Sequence, residues 1–293
     1  AADNPSLYHH ALGFRCAFDI PECGNGILEG DEQCDDGNQK NNDGCNPECY
    51  PDPGFENMAY VPAGTFYMGC NAELDTNCEE NEAPQHEVEL SEFFIDREEV
   101  DVDQYVQCMN DGPCDEPEGQ KEDYQSAYTF GDEEFMWAMD RSINGVTWEQ
   151  AATYCAYRGG QLPTEAQWEK AARGGCELYD GNCAAEMPTN PWGEDPASCA
   201  FARIQEFDEW FAVACAAGQE SEWVWSGGQY MSGQSPYGVA DMQGNLREWT
   251  RDRYIADAYS FSSGVDPWLE LDPNLDNTAS VRGGAFDDLP DDI

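Results

Sequence analysis

Positive charge is what this chain lacks. Against 60 Asp+Glu stand 13 Lys+Arg in 293 residues, a formal net charge of -47. Such a surface repels nucleic-acid phosphates and anionic lipid heads, which excludes nucleic acid as a partner, and it attracts divalent cations and cationic surfaces. Self-repulsion on that scale destabilises a folded state unless ions or crosslinks offset it, although the same acidity also serves as a solubility device in a salty exterior. Histidine is nearly absent, at His9, His10 and His86, and the one Cys-x-x-x-Cys pair is Cys45/Cys49. That excludes a zinc site of ordinary ligand spacing. No apolar run approaches the ~18 residues of a membrane span; the longest is Trp210 to Ala217. Asn4 precedes Pro5, so no Asn-x-Ser/Thr acceptor is present. The opening Ala1-Ala2-Asp3-Asn4-Pro5 is not a signal peptide, so an export signal is expected to have been removed or to lie upstream.

Cysteine, by contrast, is plentiful. An even count of 14 points to a disulfide framework in an oxidising compartment, hence to an extracellular or cell-surface protein. Proximity suggests Cys70–Cys78, Cys108–Cys114, Cys176–Cys183 and Cys199–Cys215 as local loops. Cys23, Cys34, Cys45 and Cys49 are expected to pair among themselves, in an order the spacing leaves open. A hydrophobic content of 40% excludes a disordered acidic tail, and the length accommodates one sizeable domain plus a small module.

Local signals predict several elements. Tyr60 to Gly69 reads as a hairpin-like pair of short strands around Ala63-Gly64, and His86-Glu87-Val88-Glu89-Leu90 alternates as a half-buried strand does. Thr147 with Gln150 and Thr164 with Gln167 are capping boxes that open two helices, the second stopping at Gly174-Gly175. Tyr50-Pro51-Asp52-Pro53-Gly54 is a linker, so the expected divisions are 1–20, 21–50, 51–57 and 58–293. Residues 21–50 carry Cys23-Gly24-Asn25-Gly26 and Cys34-Asp35-Asp36-Gly37-Asn38, which resemble the cysteine-rich repeat named after myxobacteria. About 30 residues cannot bury a core, so disulfides must hold such a module.

A second resemblance covers roughly residues 58–284. Val61-Pro62-Ala63-Gly64, Phe94-Ile95-Asp96 with Glu99-Val100, Val146-Thr147-Trp148 and Leu162 through Glu169 resemble the formylglycine-generating-enzyme (sulfatase-modifying-factor) family. So do Pro191-Trp192-Gly193, Gly244-Asn245 with Glu248-Trp249, and Arg282-Gly283-Gly284. The resemblance implies a loop-rich α+β fold, a variant of the C-type-lectin-like fold. It also implies that Leu12-Gly13-Phe14-Arg15-Cys16, which the family places after Arg-Gly-Gly, is a displaced closing strand, and that Cys16 pairs with Cys155. Three arrangements suit that order: one unit of a tandem array, a strand donated to a neighbouring subunit, or a strand folded back on its own domain. Donation exposes and fills sheet edges, and a non-closing contact of that kind propagates as a filament.

Activity carries over less readily. The family's oxidase chemistry implies a copper-holding thiolate pair, and Asp288 and Ile293 stand at those two positions. A carboxylate is neither a soft ligand for Cu(I) nor a redox nucleophile. Three histidines also fall short of the family's non-heme iron branch; His9 and His10 read as a surface pair. The resemblance implies a Ca²⁺ ion instead, held by the side chains of Asp241 and Glu248 and the carbonyls of Gly244 and Leu246. Asp35, Asp36, Asn38, Asn41 and Asp43 suit either another Ca²⁺ or plain turn chemistry. The expected function is a non-catalytic, calcium-stabilised extracellular structural protein that partners itself. The alternatives are a glycan- or protein-binding module presenting Trp210, Trp223, Trp225 and Tyr230, those aromatics otherwise being core, and an enzyme with displaced chemistry.

Overall fold

The computed structural model describes residues 2–3, 12–19, 57–71, 78–118, 139–179, 183–208, 211–214, 226–261, 264–271 and 278–289. Strands β1 (Ala2–Asp3), β2 (Leu12–Gly13) and β3 (Ala17–Asp19) come first. Next are β4 (Met58–Val61), β5 (Gly64–Met68), β6 (His86–Leu90) and β7 (Phe93–Asp96). Helices α1 (Val102–Asp111), α2 (Trp148–Tyr157), α3 (Glu165–Arg173) and the short α4 (Cys183–Glu186) follow. The chain continues through β8 (Gln205–Asp208), β9 (Phe211–Ala214), β10 (Arg247–Arg253), β11 (Gly264–Val265) and β12 (Ala279–Arg282). The sheets are small and separate: β1-β12-β10-β2, β11-β6-β5, β3-β7-β4 and the pair β8-β9. The architecture is α+β and rich in loops.

Helix starts follow the capping chemistry of the sequence. Thr147 and Thr164 each accept from the backbone N–H three residues on, while Gln150 and Gln167 reach back to the cap residues' own N–H groups. Asp101 with Gln104 builds the same box for α1, which ends on Gly112 in the left-handed conformation. The strand at His86–Leu90 alternates as expected, with Val88 and Leu90 buried between more exposed neighbours. The Tyr60–Gly69 segment is not a hairpin. β4 pairs with β7, and β5 pairs with β6, so the Pro62-Ala63 step carries the chain from one sheet to another. Proline at that step has no N–H for a ladder, and Gly64 takes φ +143.

The segment from Leu12 to Asp19 packs on its own chain. β2 runs parallel to β10, and β3 pairs antiparallel with β7 on the edge opposite β4. Between them, Val100 N–H donates to Phe14 O and Asp96 N–H to Cys16 O, at 3.0 and 3.1 Å. Phe14 is fully buried, edge-on to Tyr154 and Tyr105 with ring centroids 5.3 and 6.4 Å away. Leu12, Phe14 and Cys16 share one core cluster with Tyr105, Tyr154 and Trp249. Gly13 lets the strand approach Leu246 closely: a Cβ there would stand 2.5 Å from Leu246 Cδ1, which would have to move aside. Cys16 and Cys155 form a disulfide with Cα atoms 5.4 Å apart. The expected gap in the 58–293 unit is therefore filled by residues 12–19 of the same chain.

Cys70–Cys78, Cys108–Cys114 and Cys176–Cys183 also form disulfides. Cys199 is disulfide-bonded, and Cys215 lies outside the described residues. So do Cys23, Cys34, Cys45 and Cys49, the acidic cluster Asp35, Asp36, Asn38, Asn41 and Asp43, and Trp210, Trp223, Trp225, His9, His10 and Ile293. No helix among the described residues is long and apolar enough to cross a membrane.

Candidate functional site

Two buried charge clusters meet at Trp168 and Glu248. The first is built on the loop that enters β10. Asp241, Gly244 and Asn245 all have positive φ, at 54, 84 and 57°. At Gly244 a Cβ would come within 2.4 Å of Arg203 O, so the turn admits no side chain there. The coiled loop delivers Glu248, fully buried, to the guanidinium of Arg15, also fully buried. Arg15 donates from Nε to Oε2 and from Nη2 to Oε1, both at 2.6 Å. Its remaining N–H groups reach Asp96 O and Ala240 O at 3.0 and 2.9 Å. Trp168 Nε1 adds a third donor to Glu248 Oε2 at 3.1 Å.

Two further carboxylates lie beside this pair. Glu99 accepts from Leu246 N–H at 3.1 Å and from the Asn245 side-chain amide, so it fixes the shape of the loop. Asp241 Oδ2 accepts from Gly228 N–H at 2.6 Å. Burial, and then the charges of Asp241 and Glu248, hold the Glu99 carboxyl well above the usual range. Burial pushes Asp241 up to about 6 against the Gly228 hydrogen bond and Arg15. Three acids with one cation in a dry setting cannot all ionise freely.

The expected calcium set of Asp241, Gly244, Leu246 and Glu248 spans the loop and the start of β10, where the Glu248 charge bears on Asp241, but Glu248 is engaged at both oxygens by Arg15 and Trp168. A calcium ion drawing on that carboxylate has to share it with a guanidinium. Among the described residues no group of three or more His, Cys, Asp or Glu side chains is gathered to hold a metal. The residues present therefore fit calcium only in part.

The second cluster lines a cavity of 220 Å³ beside Gly283 and Gly284. Helix α3 supplies Glu165, Trp168, Glu169 and Arg173 from successive turns, and β12 supplies Arg282. Arg282 donates to Glu165 at 3.1 Å, to Glu169 at 2.9 Å and to the Tyr259 hydroxyl at 2.8 Å. Arg173 completes the network on Glu169 at 2.8 Å. Burial works against the Glu169 charge, yet Arg282 and Arg173 together hold its carboxyl below the ordinary value. Asp252 lies behind, accepting from the N–H groups of Glu165 and Leu269. Burial, then the Glu165 charge, pushes it up to about 7.

Asp288 stands where a family thiol is expected. Its Oδ2 accepts from Ala285 N–H at 2.7 Å and its Oδ1 pairs with Arg247, so it closes a turn and holds Arg247, which lines the cavity. Among the described residues no cysteine is free. Tyr230 and Trp192, both partly buried, pack against the small cluster of Ala202 and Ile204. His86 contacts Pro84 O and the Tyr259 ring. Motif reading named Glu99, Glu165, Glu169 and Arg282 only as family positions and missed the contacts that join them.

Comparison with known proteins places this geometry in a family. The model of the sulfatase-modifying factor enzyme 1-like domain matches residues 47–293, and a domain of unknown function (DUF4215) matches 7–50. The formylglycine-generating enzyme of Thermomonospora curvata is 26% identical over 82% of this chain and 86% of its own length. The inactive C-alpha-formylglycine-generating enzyme 2 of Bos taurus is 35% identical over 38% of this chain and 33% of its own. The chain spans about half the length of another relative, YfmG of Bacillus subtilis, at 29% identity over 79% of this chain and 48% of that one. The structure of PvdO from Pseudomonas aeruginosa shares the fold, with a TM-score of 0.56 and 19% identity over 80% of this chain and 84% of that one. The family thus holds enzymes and inactive relatives alike. By the match over residues 47–293, this chain belongs to the sulfatase-modifying factor enzyme 1-like domain family.

Proposed function

We propose that this chain is a non-catalytic, disulfide-stapled extracellular structural protein that uses the family fold as a building block. One observation carries the reading: the segment after Gly283-Gly284, where the oxidase chemistry is expected, holds Asp288 tied to Ala285 N–H and Arg247 instead of a thiol. The fixed carboxylate supports the wall of the cavity and leaves no redox nucleophile in its place. Four disulfides among the described residues suit an oxidising exterior.

Assembly with further copies belongs to the same proposal. The closing segment Leu12–Cys16 is joined to the rest of the domain through residues 20–56, and the contacts it makes within one chain are the contacts it would make in a neighbour. Electrophoresis in SDS, with and without reductant, tests this on native material. A ladder that collapses to a single unit mass on reduction supports assembly by exchanged Cys16–Cys155 bonds. A single band under both conditions, together with a monomer by light scattering, removes the assembly. The non-catalytic reading has its own test: oxidation of a cysteine-containing sulfatase peptide in the presence of copper. Formation of formylglycine would overturn it.

A further inference from the structure

We infer that the cleft between Leu90, Thr164 and Trp268 binds saccharides that carry a carboxylate, uronic-acid units in particular. The cleft has a volume of 700 Å³, within the range of small-ligand sites, and lies apart from both charge clusters above. Ala63 and Leu90 form part of its lining, and Trp268 is 40% exposed on its wall. A half-exposed indole beside apolar floor residues suits the C–H face of a pyranose ring, which aromatic surfaces cover well.

Arg251 supplies the charge selection. Its guanidinium carbon sits 3.9 Å from the centroid of the Trp268 ring. No carboxylate pairs with it among the described residues, and its side chain donates no hydrogen bond there, in a chain where 60 acids face 13 bases. Arg15, Arg158, Arg173, Arg247 and Arg282 all hold carboxylates. Stacking on an indole pre-orients the planar fork and leaves its edge for a bidentate acceptor, the geometry that carboxylates match.

The other polar groups suit hydroxyls. Gln167 spends its Oε1 on the N–H of Thr164, which leaves its amide N–H₂ for a ligand. Trp268 Nε1 likewise donates to no group among the described residues. Glu92 shares one oxygen with Tyr60 OH and Asp266 receives Ser91, so acceptors stand among the donors. A mixed donor–acceptor rim around a tryptophan matches a polyol, and the unpaired arginine selects the acidic one. Global repulsion does not forbid this ligand. At physiological salt the acidic surface is screened beyond ~8 Å, and within the cleft Glu92 and Asp266 are engaged by Tyr60 and Ser91 while Arg251 stands open to the ligand's carboxylate.

Titration calorimetry with trigalacturonate tests the site, with maltotriose as the uncharged control and hexa-aspartate as the carboxylate control. Saturable binding of trigalacturonate is expected, weakened roughly tenfold or more for maltotriose and for Arg251→Gln. Arg251→Lys, which keeps the charge and removes the fork, is expected to weaken it as well, and so is Trp268→Ala. Melting curves of each variant separate lost binding from lost fold. Three outcomes would overturn the inference: no saturable binding of trigalacturonate, binding unchanged in a folded Arg251→Gln, or hexa-aspartate bound as tightly as the sugar.

Discussion

At the residue scale the fold turns on one buried cation. Arg15 neutralises Glu248 where Glu99 and Asp241 already crowd the site, and neither member of the pair touches water. Removing one side of such a pair strands a charge, which costs about 3–5 kcal/mol, whereas removing both is far milder. Arg15→Met is therefore expected to lower the unfolding free energy measured in urea by that amount, and Arg15→Met with Glu248→Gln to recover part of it. A single variant within ~1 kcal/mol of the parent would show that the guanidinium is not what holds Glu248. The same pair sets the expectation for metal. If calcium shares Glu248, the melting temperature in millimolar Ca²⁺ exceeds that in chelator by a few degrees, about 2–4 °C for each kcal/mol. Equal melting temperatures would leave Arg15 as the site's own cation and overturn the expectation of calcium at Asp241 and Glu248.

At the element scale the closing segment completes one of the two large core clusters. It contributes Leu12, Phe14 and Cys16 to the cluster around Tyr154 and Trp249, and Cys16–Cys155 ties it across a sequence separation of 139. A crosslink over so long a loop stabilises chiefly by restricting the unfolded chain, at about 2–4 kcal/mol. Cys16→Ser with Cys155→Ser should lose that much in urea unfolding and open Leu12–Asp19 to limited proteolysis; a variant as protease-resistant as the parent refutes this. Much here was legible in sequence. Thr147 and Thr164 announced their helices because capping boxes are local, and the closing strand was visible in Gly13-Phe14-Arg15-Cys16. Strand pairing was not: β4 and β5, adjacent in sequence, join different sheets because their partners come from β6 and β7. The Arg282 network was hidden for a related reason. Glu165 and Arg282 are far apart in the chain, and among 60 acids no single carboxylate stands out.

At the scale of the whole molecule, acidity sets the pH at which the fold is most stable. A carboxyl whose folded pKa lies above its unfolded value of ~3.9 keeps a proton that the unfolded chain has released. Asp252, pushed up to about 7, and Asp241, pushed up to about 6, are such groups. From about pH 4 to 7 the folded form thus binds more protons than the unfolded one, so stability falls as pH rises, by up to ~1.4 kcal/mol per unit and group. Repulsion among the surface acids acts in the same direction. Glu169 opposes them, but its folded pKa is depressed, so its contribution is lost only below the ordinary carboxylate range. The melting temperature should accordingly be higher at pH 5 than at pH 8, the reverse of the usual acid sensitivity. Salt separates the two causes. In 1 M NaCl the screening length shrinks to ~3 Å and surface repulsion fades, while buried Asp252 is shielded little. The slope that survives high salt should flatten in Asp252→Asn, whatever that variant costs in absolute stability. A melting temperature that rises from pH 5 to pH 8, or a high-salt slope unchanged in Asp252→Asn, would mean that the buried carboxyls do not govern the pH response.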